Sequence, residues 1–493
     1  MASYSKPKRN LDRDVPISPP PLRRKLQSNT TQTAVASFFT PASRKPPEKI
    51  IWQERALNDD TPSSLVVGEY EPTKEFSSDA KSLAGGAKRC KIAAFDFDST
   101  LITTSSGKKF AADAQDWKWW HPSVPIKLRQ LYSDEGFRVV IVSNQGGISL
   151  KPDTKAPKSN MSKLSSFKAK VSAVLGQLDI PIRIYAATGK DIYRKPRTGM
   201  WTEILGDYDI LPGDLDIDNS FFVGDAGGRE AFNKQPKDFS CSDRNFAHNV
   251  GLKFFTPEEY FLGEAPRPFT RRFDPTEYLE KSGAEVPERY EKKNACDIVL
   301  FCGSPGAGKS TFYWKHLESL GYTRINQDIL KTREKCLKVA GQCLTERKSV
   351  AIDSTNPDPE VRKKWIDLAA KHSIPIRCVL FTAGSQICEH NDAVRALNRS
   401  VCVPLAPQPK VFELNPRLHV QRWDLPRMCG ELLMLRIQMN PESRAILPAM
   451  AFRGFASRYQ RPQVDEGFQD ITEVSFKFIG NEVQKKIWTQ HWI

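Results

Sequence analysis

From residue 91 onward, short apolar runs alternate with longer amphipathic stretches. KIAAFDFD, FRVVIVSNQ, IRIYAAT and NSFFVGDA each end on a polar residue or glycine. Runs without polar alternation predict strands buried on both faces, and MSKLSSFKAKVSAVLGQL between the second and third has helical spacing. Strands alternating with helices imply a mostly parallel sheet whose site lies at the strands' C-terminal ends. The pattern then lapses. Residues 263 to 294 are rich in proline and charge and lack a period, which predicts a linker. A second α/β unit starts at CDIVLFC and continues through YTRIN, SVAIDST and IRCVLFTA. The expected organisation is a disordered tail over 1–85, an α/β domain over 86–262, a linker over 263–294 and a second α/β domain over 295–493. IIWQERALN and SLVVGEY fall inside the tail as stretches that pack locally.

Composition supports this division. A chain of 493 residues with 39% hydrophobic content exceeds one ordinary core. The formal charge of +15 favours a polyanionic partner such as nucleic acid. Residues 1–50 carry ten Lys/Arg against three Asp/Glu, with eight prolines, too little apolar surface to offset the entropy of ordering. No apolar run is long enough to cross a bilayer, so no membrane role is expected. Ten cysteines without a CxxC pair argue against a zinc site and for reduced thiols.

Four polar points close the strands of the first unit: Asp96 with Asp98, Ser143, Lys195 and Asp225. Asp96 suits nucleophilic attack on phosphorus to form an aspartyl-phosphate. Asp98, two residues on, suits protonation of the leaving oxygen and then activation of water. Mg²⁺, held by Asp96, Asp98 and Asp225, would let carboxylates approach a phosphate dianion. Ser143 and Lys195 would bind the phosphoryl oxygens. FDFDST, SNQ, RKP and GDAGGR together resemble the four motifs of the haloacid-dehalogenase-type phosphatases. Ser99 departs from that family's usual Gly in DxDGT.

The second unit opens on GSPGAGKST. Gly303, Ser304, Pro305, Gly306, Ala307, Gly308, Lys309, Ser310 and Thr311 form a phosphate loop directly after an apolar run. Its glycines let backbone N–H groups face the phosphates of ATP, Lys309 reaches the β- and γ-phosphates, and Ser310 binds Mg²⁺. A kinase also needs a base for the acceptor hydroxyl. Asp328 in RINQDIL is the candidate, and Asp353 in AIDSTN is a second carboxylate near the metal or acceptor. Arg395 and Arg399, four apart in HNDAVRALNR, share a helix face, and Arg395 is the candidate lid arginine. His121 and His390 receive no catalytic role, and the tryptophans of DWKWWHP are read as core packing, with stacking on unpaired bases as the alternative.

Phosphatase motifs followed by a kinase loop, with LITTSSGKKF, YRKPRTGMW, FFVGDAGGR, KDFSCSDRNFAHNVGLKFFTPEEYF and LFTAGSQICEHN, resemble the eukaryotic polynucleotide kinase 3′-phosphatase family from about residue 86 to the last residues. The resemblance implies a haloacid-dehalogenase-like phosphatase domain followed by a P-loop kinase domain. One would remove a 3′-phosphate from a DNA strand end and the other would phosphorylate a 5′-hydroxyl. It further implies a nuclear enzyme acting on strand breaks, with RNA end healing as the alternative substrate class. Gln327 stands where that family has Arg, and Ser354 where it has Asn. The basic, proline-rich N-terminal segment does not suit the forkhead-associated domain of vertebrate members, so scaffold docking of that kind is not expected. QTAVASFF instead resembles the box that binds the replication sliding clamp, proliferating cell nuclear antigen, with Gln32, Val35, Phe38 and Phe39 in its four positions. KPKR and RRK read as nuclear-import or nucleic-acid patches.

Overall fold

A computed structural model describes residues 49–72, 89–150, 157–211, 213–233, 235–280, 290–398, 400–404, 434–438, 440 and 442–493. The clamp-like box at 32–39, the basic patches before it and Arg399 lie outside these residues. The first sheet takes its strands from β1 (Ile50–Arg55), β2 (Leu65–Tyr70), β3 (Ile92–Phe95), β6 (Arg138–Asn144), β7 (Ile182–Ala187), β8 (Phe221–Val223) and β9 (Lys253–Phe255). β4 (Ile102–Thr103) and β5 (Lys118–Trp119) pair separately as a small ribbon. The sheet order is β1-β2-β7-β6-β3-β8-β9. Strands β3, β6, β7, β8 and β9 are parallel, while β1 and β2 form an antiparallel hairpin along β7.

Burial on both faces explains the uninterrupted apolar runs. Ala93, Phe95, Val139 and Ile141 enter one core cluster, and Ile92, Ala94, Val140 and Val142 enter the other. Helices α1 (Ser123–Ser133) and α2 (Pro157–Leu178) join the first cluster, and α3 (Gly199–Asp207) and α4 (Ser242–Val250) the second. Full burial of such side chains contributes roughly 1.5–3 kcal/mol each. Trp117, Trp119 and Trp120 are partly buried and pack against the first cluster.

Two boundaries need correction. The expected tail over 1–85 contains β1 and β2, which bury Leu65, Val66 and Val67 and extend the sheet. The expected linker over 263–294 is also partly structured. Phe269 bridges Arg229 beside the first site. Phe273, Tyr278 and Leu279, around the short helix α5 (Glu277–Glu280), and the buried Tyr290 pack into the second core.

That core surrounds a five-stranded parallel sheet ordered β11-β12-β10-β13-β16, with strands β10 (Ile298–Cys302), β11 (Thr323–Ile325), β12 (Val350–Ile352), β13 (Ile376–Phe381) and β16 (Ile471–Val474). β14 (Ser400–Pro404) and β15 (Met434–Gln438) form an antiparallel pair apart from it. The helices are α6 (Lys309–Phe312), α7 (Gln327–Leu330), α8 (Arg333–Thr345), α9 (Pro359–Lys371), α10 (Ser385–Leu397), α11 (Ala449–Arg458) and α12 (Glu482–Trp488). TFYWKHLESL winds as expected but widens to a π-helical turn at Tyr313–Leu317. Phe312 is held edge-on to Phe301 and Phe381 while the Tyr313 hydroxyl donates to the Tyr322 carbonyl. No helix among the described residues is long and apolar enough to cross a membrane.

Candidate active sites

The first site lies at the C-terminal ends of β3, β6, β7 and β8. Asp96 follows β3, and its main-chain N–H donates to the Val223 carbonyl of the neighbouring β8. Lys195, in the loop after β7, sends its buried Nζ 2.8 Å to Asp96, 2.8 Å to Asp243 and 2.7 Å to the Val142 carbonyl. Asn144 grips the lysine's main chain on both sides, accepting from Lys195 N at 2.9 Å and donating to Lys195 O at 3.1 Å. Asp225 follows β8, and its N–H is held by the Thr100 hydroxyl.

Asp96, Asp225 and Asp243 bring carboxylate oxygens within 4.8 Å of one another. Two buried carboxylates, Asp96 and Asp243, and the half-buried Asp225 gather around one ammonium, and the electrostatics register the imbalance. Burial, reinforced by the Asp96 and Asp243 charges, pushes the Asp225 carboxyl up to about 8. Burial pushes Asp243 up to about 6 against the pull of Lys195. Asp96 is also raised by burial, with Lys195 opposing. Burial works to lower Lys195, yet the Asp243 and Asp96 charges outweigh it and raise the ammonium's pKa. A divalent cation bound by oxygen ligands would relieve this excess charge, so the donor set fits Mg²⁺.

Here one assignment changes. The third carboxylate of the cluster is Asp243, not Asp98. Asp98 faces solvent and accepts from Gln145 Nε2 at 2.7 Å, and that amide also donates to the buried Ser143 hydroxyl. This places Asp98 at the open side, where a leaving oxygen or water would sit. Asp243 occupies the first turn of α4, a position that by sequence reads as an ordinary helix-start acid. Gly224 makes room for it: a Cβ there would stand 2.4 Å from Asp243 Oδ2. Ser99 adopts φ 61, the left-handed region, so the departure from glycine costs conformational energy.

At the surface of this half, Phe110 and Phe239 are 77% and 89% exposed. The Lys109 ammonium lies 5.6 Å and 5.5 Å from their ring centres. Arg194, beside Lys195, has an Nη1 with no hydrogen-bond partner, close to Gly146.

The second site lies at the ends of β10, β11 and β12. Gly306 has φ 76, and a Cβ there would meet the Cys388 carbonyl at 2.2 Å. Lys309 folds over the loop, donating to the Gly303 and Ser304 carbonyls at 2.9 and 2.6 Å. Burial lowers its pKa to about 8. The Ser310 hydroxyl donates to Asp353 Oδ2 at 2.8 Å, two oxygens of the kind Mg²⁺ prefers. Arg324 from β11 binds both Asp353 and Ser310, and Asn326 donates to Asp353 as well. Sequence reasoning missed Arg324.

A cavity of about 1570 Å³ joins the loop to Gln327, Asp328, Arg395 and Arg444. Asp328 lies in the first turn of α7, whose cap is Asn326. Its carboxylate is 71% exposed into the cavity, 3.3 Å from Arg444 Nη2. Arg444, a second omission, also pairs with Glu442 at 2.5 Å. Arg395 is on α10, paired with Asp392, its Nε without a partner. His390 is buried, its ring bonded to the Trp488 carbonyl and packed on Phe273. His121 bonds Ser123.

Comparison with known proteins divides the chain in the same way. Residues 91–261 match the family described as polynucleotide kinase 3 phosphatase, and residues 298–406 match an AAA domain. A bifunctional polynucleotide phosphatase/kinase of Schizosaccharomyces pombe is 37% identical over 460 residues, covering 92% of this chain and 96% of the relative. A polynucleotide 3′-phosphatase of Arabidopsis thaliana is 38% identical over 36% of this chain and 25% of its own. A polynucleotide 3′-phosphatase of Saccharomyces cerevisiae is 28% identical over 35% of this chain and 87% of its own.

Proposed function

The chain belongs to the bifunctional polynucleotide phosphatase/kinases, and from that premise we propose that it repairs DNA strand ends in the nucleus. The observation that carries this reading is the presence in one chain of the Asp96–Lys195–Asp243–Asp225 cluster and the Lys309–Ser310–Asp353 loop site. Mg²⁺ bound at each would neutralise phosphate charge during approach.

In the first site the Asp96 carboxylate attacks the 3′-phosphate. The bond from phosphorus to the 3′-oxygen breaks, and Asp98 protonates the departing oxygen. Asp98 then takes a proton from water, which hydrolyses the acyl-phosphate and restores Asp96. Lys195 holds the phosphoryl charge throughout. In the second site Asp328 takes the proton of a 5′-hydroxyl as its oxygen attacks the γ-phosphorus of ATP, and ADP leaves. Lys309 binds the transferring group and Arg395 or Arg444 approaches it from the cavity wall. The products are the 3′-hydroxyl and 5′-phosphate that ligation requires.

Nucleic acid, as opposed to a small phosphate ester, is supported by the paired aromatic rings of Phe110 and Phe239 around Lys109. Base stacking on such rings contributes roughly 1–3 kcal/mol per base and gives exposed phenylalanines a use. The charge of +15 points the same way. A nicked duplex bearing both a 3′-phosphate and a 5′-hydroxyl, with ATP and Mg²⁺, tests the whole reading, and a matched RNA tests the sugar. Asp96→Asn should abolish 3′-phosphate release and spare phosphorylation, and Lys309→Ala should do the reverse. Loss of both activities from either folded variant refutes two independent sites.

Recruitment by the sliding clamp through Gln32, Val35, Phe38 and Phe39 is the second part of the proposal. The warrant is two adjacent phenylalanines in an otherwise polar, basic segment. A peptide of residues 28–45 should bind the purified clamp in calorimetry. Phe38→Ala with Phe39→Ala should abolish binding, since buried anchors cost roughly 2 kcal/mol or more each. Equal heats from the two peptides would reduce QTAVASFF to coincidence.

A further inference from the structure

The loop that carries Lys195 is closed from outside the phosphatase half. Asn249, in the last turn of α4, donates one amide hydrogen to the Pro196 carbonyl at 2.8 Å and the other to the His491 carbonyl at 2.8 Å. Its Oδ1 accepts from His491 N at 2.8 Å. Two residues beyond Lys195, the buried Arg197 directs Nε to the Trp492 carbonyl at 3.1 Å, and Nη1 to the Lys190 and Asp191 carbonyls at 2.6 and 2.7 Å. Arg197 is therefore a buried cation bound to main-chain oxygens of both halves. Burial lowers its pKa to about 10.

The far ends of these contacts sit in packed interior. His491 and Trp492 are almost fully buried, and Trp492 belongs to the kinase core with Trp488. The Trp492 indole N–H donates to the Ile487 carbonyl. The His491 ring lies 5.0 Å from that of His248 on α4. The same helix carries Asp243 at its start, so α4 fixes both the partner of Lys195 Nζ and the peptide that follows Lys195.

We propose that Asn249 and Arg197 are positioning residues of the phosphatase, and that the kinase half, through the main chain of residues 491–492, completes the phosphatase site by holding the Lys195 loop. The inference rests on the reading of Lys195 as the phosphoryl-binding cation. Lys195 Nζ meets Asp96 and Asp243 at 2.8 Å each, and a lysine that drifts from that position no longer offsets charge where it develops. Misplacement by about 1 Å can cost on the order of 10²-fold in rate. Much of an oligonucleotide's affinity comes from its other phosphates, which Lys195 does not touch, so KM should move less than kcat.

The test is Asn249→Asp in the full chain, a substitution that keeps shape but removes both N–H donors and sets an anion against two carbonyls. Asn249→Ala and Arg197→Lys accompany it. The 3′-phosphatase kcat should fall about 10–100-fold with KM for a 3′-phosphate oligonucleotide within about threefold, while 5′-kinase kcat in the same preparation is unchanged. An unchanged phosphatase rate overturns the proposal. So does an equal fall in both activities, which is what a merely structural role would produce. Lys195→Ala is measured alongside. If it retains phosphatase activity, the reading of Lys195 is what fails. If it is inactive while the Asn249 and Arg197 variants are normal, only the bridge fails.

Discussion

Asp328→Asn separates chemistry from architecture, because the residue has little of the second. Its carboxylate is 71% exposed and its pair with Arg444 spans 3.3 Å. An exposed pair of that kind contributes roughly 0–1 kcal/mol, so if Asp328 did no more than hold Arg444 its loss would slow phosphorylation by about fivefold at most. The cap of α7 uses Asn326 on the main-chain N–H of residue 328, which the substitution leaves alone. The phosphate loop is braced by Ser310, Asp353 and Arg324. ATP affinity should therefore survive. As general base, Asp328 would account for about 10²–10⁴-fold in rate, which is roughly 2.7–5.4 kcal/mol of barrier. Single-turnover transfer from labelled ATP to a 5′-hydroxyl oligonucleotide at saturating ATP reads the rate, and equilibrium binding reads the affinity. A loss below about fivefold would make Asp328 an ion-pair partner only. A weakened ATP affinity with an unchanged rate would move it to the nucleotide.

Asp243→Asn should lower the phosphatase rate at fixed Mg²⁺ about 10–100-fold and shift the Mg²⁺ titration upward, as loss of groups around a metal site does; a titration that superimposes on wild type refutes a role for Asp243 in the cluster. Ser99→Gly should raise thermal stability, because an L-residue at φ 61 costs about 1–2 kcal/mol and glycine returns about half of that in chain entropy; a lower melting temperature would show that the serine side chain outweighs its backbone. His390 and His491 are both held down to about 4, by burial first and, at His491, by Arg271 and His248 as well. The unfolded chain takes up these protons near pH 6.5 and the folded one only near 4, so stability should fall as pH drops through that window, by up to ~1.4 kcal/mol per unit per histidine; a denaturation midpoint flat between those limits refutes it.

The parallel strands were legible because burial on both faces leaves unbroken apolar runs, and the phosphate loop because its glycines answer local constraints such as φ 76 at Gly306. β1 and β2 were not. They are an antiparallel edge hairpin just after a proline-rich segment, and the strand that organises them, β7, lies more than a hundred residues on. Asp96, Lys195 and Asp225 follow strands and could be read as strand ends. Asp243 and Arg444 reach their sites by tertiary folding alone, and nothing local distinguishes a helix-start aspartate that enters a cluster from one that faces water. Asn249 is invisible for the same reason, since its partners are main-chain atoms.

The contact between Arg197 and Trp492 spans 295 residues, and that between Asn249 and His491 spans 242. A ribosome adding about 5–20 residues each second needs tens of seconds to cover such distances. During that interval the phosphatase sheet is complete while its lysine loop waits for a clasp not yet made. A chain that stalls, or whose kinase half misfolds, is then also a slow phosphatase. Such a molecule does not strip 3′-phosphates efficiently from ends it cannot phosphorylate, so errors in making the second half reduce both activities together.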